Sequence, residues 1–151
     1  MKYTCTECCL MFLKNTRTEA ETIKYLKDND YSESEIDEAI KYAKEVGYIN
    51  DIDYINAYVS DHLLINKWGP QKIIFKLKEK GISGEAVNFA IMDNEEIIKR
   101  NLYAQVEKKA KGLNLEDFKT KQKVINHLVS RGYDYSLSLI HIWRCRRLLT
   151  C

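Results

Sequence analysis

Three stretches of this chain, ETIKYLKDNDYS from Glu21, KIIFKLKEKGIS from Lys72 and KVINHLVSRGYD from Lys123, superpose without a gap at an offset of 51 residues each time. Ile23, Ile74 and Ile125 coincide, as do Leu26, Leu77 and Leu128, and then Tyr31, Ile82 and Tyr133. An apolar i, i+3 stripe followed by an apolar residue just past its end is the pattern of a helix that buries one face. Between stripe and end residue stand Asp30, Gly81 and Gly132, where a helix stops in a left-handed residue, a conformation glycine adopts at least cost. Ser32, Ser83 and Asp134 follow, and each is a good N-cap, so a second helix begins at once.

That second helix is clearest after Ser32, where Glu35 completes a capping box and Ile36, Ala39, Ile40, Ala43 and Val46 share a face before Gly47. Val87, Ala90 and Ile91 are its counterpart one repeat later. Further helix starts are expected at Thr18 with Glu21 as a capping box, at Asp53, at Asn94 and at Asn114, and at Pro70, where the chain's single proline occupies the first helical position. No window alternates with period two, so the fold class is all-α, with about eight helices and no sheet. The repeating unit is three helices, and tandem units predict an elongated, curved helical array. The boundaries read as repeat one over 1–50, repeat two over 51–101 and a partial repeat three over 102–136, with 137–151 outside the pattern.

Composition narrows the function. Charged residues make up 30% of the chain and apolar ones 45%, and the longest apolar run, Cys8 to Leu13, is too short to span a bilayer, so no membrane association is expected. MKYTCTECC has neither the basic-then-apolar order nor the cleavage site of a secretory signal, which points to the cytoplasm. Cys5, Cys8 and Cys9 sit in one helical stretch and Cys145 and Cys151 at the far end, so they read as free thiols rather than paired zinc knuckles. His62, His127 and His141 are scattered and read as structural. No nucleophile set, phosphate loop, cofactor motif or metal box is found, and no catalytic residue is assigned.

The formal net charge of +2 comes from Arg144, Arg146 and Arg147. Without them the chain holds one more acid than base, which argues against a general polycation grip on nucleic acid. Local basic character is a different matter. Lys72, Lys76 and Lys80 recur at i, i+4, i+8 opposite the Ile73, Ile74 and Leu77 face, and Lys99 with Arg100, Lys108 with Lys109, Lys119, Lys121, Lys123 and Arg131 extend it. The candidate partner-binding residues are Lys72, Lys76, Lys80, Lys99, Arg100, Lys123 and Arg131. Most of these lysines also fit ordinary solvated faces, and the aromatic set Tyr48, Tyr54, Tyr58 and Trp68 fits core or inter-repeat packing better than base stacking.

Two runs, EVGYINDIDYINAYV from Glu45 to Val59 and GPQKIIFKLKEKGI from Gly69 to Ile82, closely resemble the RecX regulatory proteins, and TRTEAETIKYL from Thr16 is similar to the start of the family's second helix. The resemblance covers about residues 3–136, with CTECCLMFL a loose match. It implies three tandem three-helix repeats, of which this chain would lack most of the ninth helix. It implies a non-enzymatic monomer without cofactor that lies in the groove of a RecA filament on single-stranded DNA. There it would modulate, and mostly inhibit, ATP hydrolysis, strand exchange and co-protease activity in DNA repair, homologous recombination and the SOS response. Direct contacts to DNA phosphates are part of that expectation. After Ser136 the repeat fails, and LSLIHI is similar to the translation of a transposon-type sequencing adapter, which implies a foreign tail. Two other readings stay open: an autonomous helical nucleic-acid-binding module, marked by steep salt dependence without RecA, and a small helical enzyme.

Overall fold

A computed structural model describes residues 3–114, 116–134 and 136, and the expected foreign tail at 137–151 lies outside them. The described residues are helical throughout their regular structure and contain no strand. The helices are α1 (Cys5–Phe12), α2 (Glu19–Asp28), α3 (Glu33–Glu45), α4 (Asp51–Asp61), α5 (Pro70–Glu79), α6 (Glu85–Asp93), α7 (Glu95–Ala110) and α8 (Phe118–Ser130). A π-helical turn, His62–Asn66, continues α4 without a break.

The recurring helix is α2, α5 and α8. Leu26, Leu77 and Leu128 are all 0% exposed, and removing such a side chain from water stabilises by roughly 1.5–3 kcal/mol. The deepest partner on the stripe is one residue earlier than the isoleucines: Thr22, Ile73 and Val124 are fully buried, whereas Ile23 and Ile74 are half-buried. Thr22 is tolerated there because its hydroxyl donates to the Thr18 carbonyl at 2.8 Å. All three helices stop in the same way. Asp30, Gly81 and Gly132 have φ of 64°, 82° and 96°. The next residue's N–H reaches back to the leucine carbonyl, Tyr31 to Leu26, Ile82 to Leu77 and Tyr133 to Leu128, which closes a Schellman turn.

The capping chemistry is partly as expected. Ser32 and Glu35 form the full box, and so do Thr4 and Glu7 at α1. Thr18 accepts from the Glu21 N–H at 3.1 Å, but the Glu21 carboxylate turns to Lys80 and Arg17 and not back to the Thr18 N–H, so only half a box forms. Asn50 rather than Asp53 opens α4, its Oδ1 accepting from the Asp53 N–H. Asp117 rather than Asn114 caps α8, because Asn114 is occupied with the Glu116 N–H in a preceding turn. Val46 is 47% exposed, contrary to its place on the α3 stripe: the chain turns at Gly47 (φ 83°) and Ile49 takes the buried position instead.

The described residues form two compact units, one of those up to Tyr58 with Leu77–Val87, the other of Val59–Lys76 with those from Asn88 on. The first has a core of Cys5, Cys8, Cys9, Leu13, Leu26, Ile36, Ala39, Ile40, Ala43 and Ile49. The three thiols are thus apolar core groups, and burial pushes Cys9 up to about 11. In the second unit Val59, Leu63, Ile73, Leu102, Val106, Val124, Ile125 and Leu128 are buried. Asn101, itself buried, donates to the Leu63 carbonyl at 2.8 Å and so pairs a backbone group of the π-turn. No described helix is long and apolar enough to cross a membrane.

Candidate functional site

Of the basic residues singled out above, Lys72, Lys80 and Arg131 sit at a joint that occurs once in each unit. In the first unit, Thr18 at the start of α2 donates its hydroxyl to the Lys80 carbonyl at 2.9 Å, and a Cβ on Gly81 would stand 2.4 Å from that of Ala20. In the second, Gly69 and Gln71 at the start of α5 donate their N–H groups to the Arg131 and Gly132 carbonyls at 2.7 and 2.9 Å. There a Cβ on Gly69 would stand 2.3 Å from the Gly132 carbonyl carbon. Residues 18 and 69, 80 and 131, and 81 and 132 are again 51 apart. In the second joint free N–H groups at a helix start meet free carbonyls at a helix end, whereas in the first a side-chain hydroxyl satisfies the carbonyl. Pro70, which has no N–H to offer, falls between the two donors.

Charge distinguishes the two. In the first, Glu21 lies 3.7 Å from Lys80 and 3.8 Å from Arg17. Burial opposes the Lys80 charge, but Tyr54 and Glu21 outweigh it and hold its pKa above the usual lysine value. In the second, the positions matching Glu21 and Lys80 are Lys72 and Arg131, two cations. Lys72 turns its ammonium over the Trp68 ring, 4.6 Å from the centroid, and Trp68 stacks on His62 at 4.1 Å. Arg131 donates to the Asn66 carbonyl at 2.5 Å, and Tyr133 donates its hydroxyl to the Lys67 carbonyl at 2.8 Å, with burial pushing that phenol up to about 12. Lys67 itself is left-handed (φ 55°).

Lys72, Lys76 and Lys80 are therefore half-buried rather than a freely solvated ridge, and two of them are engaged at a joint. Their matches on α8 are Lys123, His127 and Arg131, whereas α2 carries Glu21, Tyr25 and Asn29. The same face is basic in the second and third repeats only. Lys123 and Arg100 are exposed, and Lys99 pairs with Glu95 at 3.3 Å along α7. Of the aromatic set, Tyr54 and Tyr58 stack with centroids 5.9 Å apart, while Tyr48 is 58% exposed, a correction to its expected packing role that follows from the Gly47 turn. No group of three or more His, Cys, Asp or Glu side chains among the described residues is placed to hold a metal ion.

Sequence reading missed one cluster. Lys108, Lys109 and Gln105 of α7 meet His127 of α8 and Arg131 just past its end around a cavity of about 440 Å³. The lysine pair was visible and His127 read as structural, but nothing in spacing joins residues on two helices.

Two family models match this chain: the RecX second three-helix domain over residues 50–91 and the RecX third three-helix domain over residues 98–138. The chain belongs to the RecX family. Similar relatives are the regulatory protein RecX of Clostridium beijerinckii, 30% identical over 135 residues (86% of this chain, 62% of the relative), and that of Streptococcus agalactiae, 31% identical over 129 residues (81% and 47%). The chain thus spans less than two thirds of the length of these RecX proteins. The crystal structure of RecX from Lactobacillus salivarius has the same fold, with a TM-score of 0.83 at 23% identity over 93% of each chain.

Proposed function

We propose that this chain is a regulator that binds the RecA recombinase filament on single-stranded DNA and lowers its ATPase, strand-exchange and co-protease activities. It acts in the cytoplasm as a monomer, without catalysis or cofactor. The observation that carries this reading is the recurrence at 51 residues, in a RecX-family chain, of one helix, one joint and, on α5 and α8, one basic face. A filament offers the same surface again and again, and a chain with matching faces at a fixed interval engages it through several weak contacts whose effects multiply. Lys72, Lys76, Lys80, Lys123 and Arg131 face the partner in this reading, with Lys99 and Arg100 adding charge that steers the encounter to an acidic recombinase surface or a DNA phosphate.

The test is RecA ATPase on single-stranded DNA with and without the protein, alongside DNA binding by the protein alone. Suppression at substoichiometric amounts, reduced by the combined charge reversal of Lys72, Lys76 and Lys80 in a variant that keeps its helical circular dichroism, supports it. Tight DNA binding with an unaffected ATPase overturns it in favour of an autonomous nucleic-acid module.

A further inference from the structure

We infer that the cavity between α7 and α8 is an anion site that takes a phosphate group, held by Lys108, Lys109, His127 and Arg131. The inference stands on this cavity and not on the filament reading. Two lysines, a histidine and an arginine line a concavity of about 440 Å³ together with Gln105, and no acidic side chain among the described residues lines it. Such volume lies within the usual range of small-ligand sites.

Another account of the same cations is compensation of helix dipoles, since Lys108 and Lys109 lie in the last turn of α7 and His127 in that of α8. Its magnitude is too small. Each helix end contributes roughly half a negative charge, so two ends offset about one of the three permanent cations, and an excess of about two remains. Lys108 and Lys109 are exposed and free to swing towards a ligand, while Arg131 is fixed by its bond to the Asn66 carbonyl. One mobile pair and one anchored fork suit a phosphate with two or more negative charges.

His127 reports on the site. Burial lowers its pKa, and Lys109, Arg131 and Lys108 lower it further by repulsion, so the imidazole is neutral at pH 7. A bound dianion cancels that repulsion, raises the pKa and makes binding take up a proton. Phosphate chemistry of this kind comes either from a free polyphosphate or from a nucleic-acid backbone.

The test follows the His127 ring resonances of the full chain by NMR, with inorganic pyrophosphate in one arm and single-stranded oligothymidylate in the other, against sodium chloride at matched ionic strength. A raised His127 pKa with pyrophosphate assigns the site to free polyphosphates, and a rise with the oligonucleotide alone assigns it to backbone phosphates. Replacing Lys108 and Lys109 by alanine, both surface positions, is expected to weaken the bound arm about tenfold or more, since each ammonium group supplies a charge-assisted hydrogen bond to the anion. No shift in either arm, a chloride shift of equal size, or undiminished binding by the double variant overturns the inference.

Discussion

The two joints have the same backbone plan and opposite electrostatics. Around Thr18 and Lys80 a threonine hydroxyl supplies the bond to the carbonyl, and Glu21 faces Lys80. Around Gly69 and Arg131 backbone N–H groups supply the bonds, two glycines touch, and the residues in the matching places are both cationic. Tight packing can thus be kept while the charge pairing is given up. The joint that gives it up holds Lys72 over the Trp68 ring and Arg131 on the Asn66 carbonyl instead.

The sharpest way to break this contrast is at the glycines. Gly69→Ala places its methyl group 2.3–2.4 Å from backbone atoms of Gly132 and Tyr133, which cannot swing aside. A loss of more than ~3 kcal/mol in a urea melt is expected. Gly81→Ala meets the Ala20 side chain and adds the strain of a left-handed alanine, a smaller loss of about 1–3 kcal/mol. Equal losses at the two glycines would erase the difference in packing.

Thr18→Ala removes both an N-cap and the bond to the Lys80 carbonyl, and about 1–2 kcal/mol is expected on thermal unfolding. Glu21→Gln tests the ion pair with Lys80 together with the contact to Arg17. The side chains of Glu21 and Lys80 are 25% and 37% exposed, so a change below about 1 kcal/mol that fades with added salt is expected.

The smallest effect is pH-dependent and belongs to the second unit. The folded pKa of His127 lies below its ordinary value of 6.5, so the unfolded chain binds the proton more tightly. Its contribution to stability is present above pH 6.5 and is lost as pH falls through the folded pKa. His127→Gln should flatten that part of the stability profile, and an unchanged slope would remove the repulsive cluster from the account.

Sequence alone determined the helix that recurs. Leu26, Leu77 and Leu128, the left-handed Asp30, Gly81 and Gly132, and the Ser32 cap were legible because they obey local rules of period, backbone conformation and capping that act within a turn or two of helix. The same rules misplace Val46, Tyr48 and Asn114, where the end of a helix is decided by which later residue, such as Ile49, reaches the core. Only the tertiary structure decided which helix ends meet. The approach of Gly69 to Gly132, the pairing of Lys80 with Glu21 and the gathering of Lys108, Lys109, His127 and Arg131 join residues that belong to different helices. Spacing along one helix specifies the face a side chain takes, whereas the neighbour across that face depends on how helices pack, which no single stretch of sequence contains.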